Sequence, residues 1–151
     1  MKTKNFVVSG VVGGIVDFLL GWLFYGIIFA DTFPQPEESS NTMIMIFLGC
    51  LTFGLFVAYI YTKWAQITTL ATGAKAGAVI GLFIGLFYNF FNMAMDSGAT
   101  FELMALDVVI GIVMTAIIGA VIGMVFKKTT SIEVVFLFKR AIFFYIFIMH
   151  A

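Results

Sequence analysis

Residues 6–29 read FVVSGVVGGIVDFLLGWLFYGIIF and carry a single charged side chain, Asp17. The hydrocarbon core of a bilayer accommodates a helix of about 20 apolar residues. This run therefore predicts a membrane-spanning helix from Phe6 to Phe29. Three further runs meet the same criterion: Thr42 to Thr62, Ala74 to Met95 and Leu103 to Phe126.

The composition of the whole chain agrees with four spans. Of its 151 residues, 62% are hydrophobic and only 11% are charged, and the net charge is zero. Soluble domains are about half apolar and about a quarter charged. The chain has no basic surplus to neutralise phosphates, which argues against nucleic-acid binding, and it is too hydrophobic for intrinsic disorder. The predicted fold class is an all-α integral membrane four-helix bundle, formed by residues 1–128.

Charged residues outside the spans separate by sign. The basic residues of the first 128 positions flank one set of span ends: Lys2, Lys4, Lys63, Lys75, Lys127 and Lys128. The loop acids flank the other set: Asp31, Glu37, Glu38, Asp96 and Glu102. Cytoplasmic loops of membrane proteins carry an excess of Lys and Arg. We therefore expect both ends of the four-span unit in the cytoplasm, an N-in/C-in orientation.

Residues 129–151 form a separate apolar tail, in which Ile132 to Met149 is long enough to be a fifth span. Lys139 and Arg140 lie at its middle, and each costs about 2.5–3.5 kcal/mol at the centre of a membrane helix. We therefore favour a tail helix that lies at the cytoplasmic interface or against a partner. A fifth span is the alternative.

Small residues recur along the spans at the spacing with which membrane helices pack. In the first span, steps of three or four residues place five positions on one face: Gly10, Gly14, Asp17, Gly21 and Tyr25. Glycines repeat every fourth residue in the later spans: Gly77, Gly81 and Gly85 in the third, and Gly119 and Gly123 in the fourth. Small residues let helix backbones approach in lipid. We interpret these glycines as helix-packing positions, and the alternative is a solute path between the helices.

Asp17 lies near the middle of the first span, and the other spans also carry polar side chains within the membrane. We hypothesise an intramembrane polar site made of these residues: Asp17, Thr52, Asn89, Thr115 and Tyr25. Asp17 has two open interpretations, a proton- or cation-binding group in a transport pathway, or a hydrogen-bonding group that holds helices together. Asp107, near the outer end of the fourth span, is interpreted as a helix-start carboxylate favoured by the helix dipole.

No catalytic or metal-binding pattern is visible in the sequence. Cys50 is the only cysteine and His150 the only histidine, and neither a nucleotide-binding loop nor a nucleophile motif occurs. We therefore expect no enzymatic activity, no cofactor and no metal.

Short motifs in three spans are similar to those of a known family. They are Trp22-Leu-Phe-Tyr25-Gly26 in the first span, Asn89-Phe-Phe91 in the third, and Leu106-Asp107 and Gly119-Ala-Val-Ile-Gly123 in the fourth. Over residues 6–128 the chain resembles the bacterial membrane proteins of domain of unknown function 1761. The resemblance implies a four-helix membrane protein and no established activity.

These patterns together predict a small multi-pass protein of the bacterial inner membrane. Its role is unassigned, and it works as a homo-oligomer or as a subunit of a membrane assembly. The expected partners are the lipid bilayer and other membrane proteins or further copies of the chain, not nucleic acid. The alternative is a small proton- or cation-coupled transporter that uses Asp17.

Overall fold

The computed structural model of the chain describes residues 3–35, 39–96 and 98–128, which form four long helices and no strand. The elements are α1 (Thr3–Leu23) with a π-helical extension (Phe24–Ile28), α2 (Ser40–Tyr59) with a π-helical extension (Ile60–Ala65), α3 (Leu70–Met95) and α4 (Phe101–Lys128). All four are long and apolar enough to cross a membrane. The predicted all-α membrane fold is therefore confirmed. The predicted tail helix of residues 129–151 lies outside the described residues.

Hydroxyl side chains begin the three helices that follow connections: Ser39 for α2, Thr69 for α3 and Thr100 for α4. In α3, the Thr69 hydroxyl accepts a hydrogen bond of 3.2 Å from the backbone N–H of Thr72. Such a cap satisfies one of the N–H groups that a helix start leaves unpaired. Capping explains why α3 begins at Leu70, earlier than the Ala74 that hydropathy alone predicts.

The helices pack as a row of two hairpins. α1 packs against α2, and α3 packs against α4. Between the hairpins, α1 makes a large contact with α4 and α2 makes a smaller one with α4, which gives the order α2–α1–α4–α3. We call the end that holds the α1–α2 and α3–α4 connections the loop end, and the opposite end the terminal end. Half of the most apolar part of α4 is buried, against 17% or less in the other helices. The core therefore runs along α4, with Ile110, Met114, Ile118 and Ile122 at its centre.

Glycines lie where the helices of each hairpin approach most closely. A Cβ added to Gly14 would come within 2.6 Å of Leu51 Cα, and one added to Gly77 would overlap the Thr115 carbonyl oxygen. The α1–α2 contact contains Gly10, Gly14 and Gly54, and the α3–α4 contact contains Gly73, Gly77, Gly81, Gly119 and Gly123. Side chains at these positions would push the backbones apart, so glycine permits the packing.

The helix contacts at glycine loosen toward the loop end. In α3, an added Cβ would meet backbone oxygen at Gly77 and at Gly81, but at Gly85 its nearest neighbour, Val108, would be at an ordinary 3.5 Å. In α1, a Cβ added to Gly21 would have as its nearest neighbour a methyl group of Met114 on α4, at 3.9 Å. Gly21 and Gly85 therefore differ from the other predicted packing glycines, because neither lies at a close approach of two helices.

Candidate functional site

Three side chains from three helices meet near the loop end. Tyr25 Oη, in the π-helical extension of α1, donates a hydrogen bond of 2.6 Å to Oδ1 of Asp107 on α4. Asn89 Nδ2 of α3 donates to Oδ2 of the same carboxyl group, also across 2.6 Å. Both oxygens of Asp107 thus accept from a neutral donor. We call Tyr25, Asn89 and Asp107 the polar cluster.

The π-helical extension and the following loop hold Tyr25 in place. The turn is wider than in an α-helix, because the N–H of Phe29 donates to the carbonyl of Phe24, five residues earlier, at 2.8 Å. The Tyr25 ring packs edge-on against Phe33 with ring centroids 5.1 Å apart, and Gln35 Nε2 donates to the Tyr25 carbonyl at 3.1 Å. Both the ring and the backbone of Tyr25 are therefore fixed. Irregular turns of this kind are frequent at functional sites.

Asn89 and Asp107 face each other across the α3–α4 hairpin. Asn89 is only 5% exposed, and its Nδ2 also donates to the carbonyl of Gly85, one turn earlier, at 3.0 Å. Asp107 lies about 9 Å along α4 from Phe101, at a rise of 1.5 Å per residue. The effect of the helix dipole fades within the first turn. The interpretation of Asp107 as a helix-start carboxylate is therefore wrong, because the residue lies beyond that turn and pairs with side chains of other helices.

The polar cluster forms part of the wall of a cavity of about 580 Å³, which we call the loop-end cavity. Asp96 and Thr100, both exposed, also line it, so it opens at the loop end. No Lys or Arg among the described residues contributes to the lining. The lysines whose side chains are described lie toward the terminal end: Lys63, Lys75 and Lys127. Asp107 and Asp96 thus give the cavity acidic groups, and its described lining includes no basic group.

Asp17 lies deeper in the bundle. It precedes Tyr25 by eight residues, about 12 Å along the helix axis, and its carboxyl group lies beside the Cys50 thiol of α2. Cys50 lines a second, largely apolar cavity of about 220 Å³, which Tyr25 also borders. We call this the inner cavity. Tyr25 therefore borders both the loop-end cavity and the inner cavity beside Cys50.

The two predicted threonines do not join Asp17. Thr52 is exposed, and its hydroxyl donates to the carbonyl of Leu48 in its own helix at 2.8 Å. Thr115 is buried, but it lies in the α3–α4 contact against Gly81. The predicted polar residues therefore separate into different regions of the bundle.

Sequence reasoning named two members of the polar cluster, Tyr25 and Asn89, but missed Asp107, which joins them. The available signal was depth: Asp107 follows the start of an apolar run by more than one turn, and a carboxyl group at membrane depth needs a partner. The described residues hold no group of three or more His, Cys, Asp or Glu side chains suited to a metal ion.

Comparison with known proteins identifies the family. The model of a family described as protein of unknown function (DUF1761) matches residues 8–123, a range that includes the whole polar cluster. No curated protein and no solved structure matches the chain. Because the family model covers most of the sequence and extends from α1 into α4, the chain belongs to the DUF1761 family of proteins of unknown function.

Proposed function

We propose that the protein is a small multi-pass membrane transporter that takes up a positively charged solute at the loop-end cavity. The observation that carries the proposal is the Asp107 carboxyl group in the wall of that cavity, among lining residues that include no described Lys or Arg. Ionisable groups at membrane depth are costly and typically mark solute or ion pathways. A cleft lined by one sign of charge also raises the local concentration of the opposite ion.

A path inward from this cavity follows α1. Tyr25 borders both the loop-end cavity and the inner cavity. Cys50 lines the inner cavity, and its thiol lies beside the Asp17 carboxyl group. A solute that displaces Tyr25 from Asp107 would move from one carboxyl group toward the next. In this proposal Asp107 serves loading and Asp17 serves the middle of the path.

Uptake by purified protein in liposomes tests the proposal, with rubidium and radiolabelled choline as probes driven by an inside-negative potential. Asp107→Asn keeps the size of the side chain but removes its charge, and we expect at least a tenfold loss of uptake. Asp17→Asn should reduce uptake similarly. Glu102→Gln is the matched control, because Glu102 is an exposed acid in the first turn of α4 and does not line the cavity.

Two results would contradict the proposal. The first is uptake by Asp107→Asn at the wild-type rate, which would contradict the role of Asp107 in loading the solute. The second is the absence of uptake of either probe by wild-type protein that gives a helical circular dichroism spectrum and a single chromatographic peak. In the second case the polar cluster would serve helix association alone.

We also propose that the working unit is a homo-oligomer or a complex with another membrane protein. The order α2–α1–α4–α3 supports this, because a row of four helices does not surround a path on all sides. Phe83 and Phe87 of α3 are both 66% exposed, so the outer face of α3 is open to a neighbour. Native mass spectrometry from nanodiscs should give a mass above that of one chain. A strict monomer with full uptake would contradict it.

The proposed location is a bacterial inner membrane, with the terminal end in the cytoplasm. The distribution of charge supports this orientation. The lysines named above lie toward the terminal end, whereas the acids Asp31, Asp96 and Glu102 lie at the loop end. The excess of basic residues is expected on the cytoplasmic side.

A further inference from the structure

We propose that the solute of the loop-end cavity is an organic ammonium ion, a substituted amine on a short hydrocarbon skeleton, and not a metal cation. This inference rests on the proposed function, since it names the chemical class of the positively charged solute. Three properties of the cavity carry it: its size, the composition of its walls and the way its deepest carboxyl group is already bonded.

The size fits a small organic molecule. Pockets for such ligands have volumes of about 300–1,000 Å³, and the loop-end cavity has about 580 Å³. A bare metal ion is much smaller and needs a tight shell of about six or more oxygen ligands. The described lining offers two carboxyl groups, Asp107 in the wall and Asp96, and Asp96 is exposed near the opening. The cavity thus has room for an organic skeleton, and only one carboxyl group lies in its wall away from the opening.

Aromatic and sulfur-containing side chains form a large part of the walls. The rings are those of Tyr25, Phe33 and Tyr88, and Met93 and Met104 add thioether groups. Aromatic faces attract ammonium ions through their quadrupoles, and sites for quaternary ammonium ligands are commonly built from such rings. Methionine adapts its shape to a ligand and is polarisable. Strongly hydrated metal ions gain nothing from these surfaces.

The carboxyl group of Asp107 and its two hydrogen-bond donors also favour an ammonium ion. Both oxygens of Asp107 already accept hydrogen bonds from Tyr25 and Asn89, which orient the carboxyl group. A substituted ammonium ion is attracted to this group as a charge and does not need to strip both oxygens of their donors. An anion would meet Asp107 and Asp96 without a described basic residue in the lining to offset them.

Calorimetric titration of the protein in nanodiscs of phosphatidylglycerol tests this inference. Choline is the probe, and 3,3-dimethylbutanol, which has the same shape without the charge, is its neutral counterpart. We expect saturable binding of choline and at least tenfold weaker binding of the alcohol. Sodium, potassium and magnesium ions should not compete at tenfold the choline concentration.

Two variants separate charge from aromatic contact. Asp107→Asn should weaken choline binding at least tenfold. Tyr88→Leu should weaken choline binding at least threefold. Tyr88 is 64% exposed and makes no hydrogen bond to Asp107. We therefore expect this variant to fold even if Asp107→Asn does not. Unchanged affinity in Tyr88→Leu would overturn the aromatic contribution and with it the proposed ligand class.

The outcomes for the two proposals differ. Binding of rubidium or magnesium without binding of choline would overturn the ammonium class but leave cation uptake intact. Absence of binding by every cation would overturn both. The titration is repeated in nanodiscs of phosphatidylcholine, whose headgroup carries the same ammonium group as choline. Loss of choline binding in these discs would identify a lipid headgroup as the source of the ammonium ion. Retained binding would identify a free solute. Either result supports an ammonium site.

Discussion

The hydroxyl of Tyr25 lies 2.6 Å from Oδ1 of Asp107, and this hydrogen bond ties the α1–α2 hairpin to the α3–α4 hairpin at the loop end. At the terminal end, the buried Tyr61 hydroxyl donates to the carbonyl of Gly73, also across 2.6 Å. Both tyrosines lie in π-helical extensions. A tyrosine in an irregular turn thus links the two hairpins at each end of the described bundle.

Replacing Tyr25 with Phe should lower the free energy of unfolding by about 1 kcal/mol, because interhelical hydrogen bonds in membranes contribute about 0.6 kcal/mol on average and up to about 1.7. The ring and its contact with Phe33 remain, so the loss reports the hydroxyl. Steric trapping in bicelles measures the change. Tyr59→Phe is the control, since Tyr59 is 42% exposed and keeps its ring contacts with Phe6 and Trp64. Equal losses in the two variants would argue against the Tyr25–Asp107 bond.

Replacing Gly77 with Ala should destabilise the α3–α4 hairpin by about 1–3 kcal/mol, as overpacking in a close contact generally does. The added Cβ would overlap a backbone oxygen of Thr115, which cannot move without shifting α4. Gly49→Ala is the matched control in α2, where an added Cβ meets nothing within 4 Å. It should leave stability unchanged or raise it by up to about 1 kcal/mol through helix propensity. Unfolding in increasing dodecyl sulfate measures both. The reverse order of stability would contradict the close α3–α4 contact at Gly77.

Replacing Cys50 with Ala should cost more stability than replacing Thr52 with Ala. The Cys50 thiol is partly buried and lies beside the Asp17 carboxyl group, whereas Thr52 is exposed and bonds only within its own helix. Loss of this contact in Cys50→Ala should cost about 1 kcal/mol, and Thr52→Ala should remain within about 0.5 kcal/mol of wild type. The same dodecyl sulfate titration gives both values. A larger loss in Thr52→Ala would restore Thr52 as the partner of Asp17.

Reporter fusions test the N-in/C-in orientation and the tail. Alkaline phosphatase inserted after Gly98 should be active and green fluorescent protein there dark, because the acidic loop end faces outward under the positive-inside rule. Fusions after Lys128 should show the opposite pattern. A fusion after Ala151 with active phosphatase would establish a fifth span in the tail, whereas a fluorescent fusion there fits an interfacial helix. Active phosphatase after Lys128 would invert the proposed topology.

Hydropathy and length were enough to predict the four helices, because spanning a bilayer requires runs of about 20 apolar residues. The predicted third span ends at Met95, as α3 does, and the predicted fourth span begins within two residues of Phe101, the start of α4. Most of the predicted packing glycines also occur at close helix approaches. These features depend on the local sequence alone, and so a single chain reveals them.

The polar cluster was only partly predictable. Each residue of a helix turns the side chain by about 100°, so the partner of a polar group depends on how each helix is rotated and staggered against its neighbours. A hydropathy profile gives neither the rotation of a helix nor its stagger. Thr52 and Asp17 lie at similar depth but on unconnected faces, whereas Tyr25, in a π-helical turn, reaches Asp107 of the other hairpin. A π-helical turn leaves no clear signal in sequence composition.

The row order α2–α1–α4–α3 has a consequence for biosynthesis. Each hairpin joins two consecutive helices, so each is able to form as soon as its second helix has been inserted. The largest contact between the hairpins instead pairs the first described helix to be translated with the last. The Tyr25–Asp107 bond therefore forms only after α4 has entered the membrane, and until then the first hairpin must persist in lipid with Tyr25 lacking this acceptor.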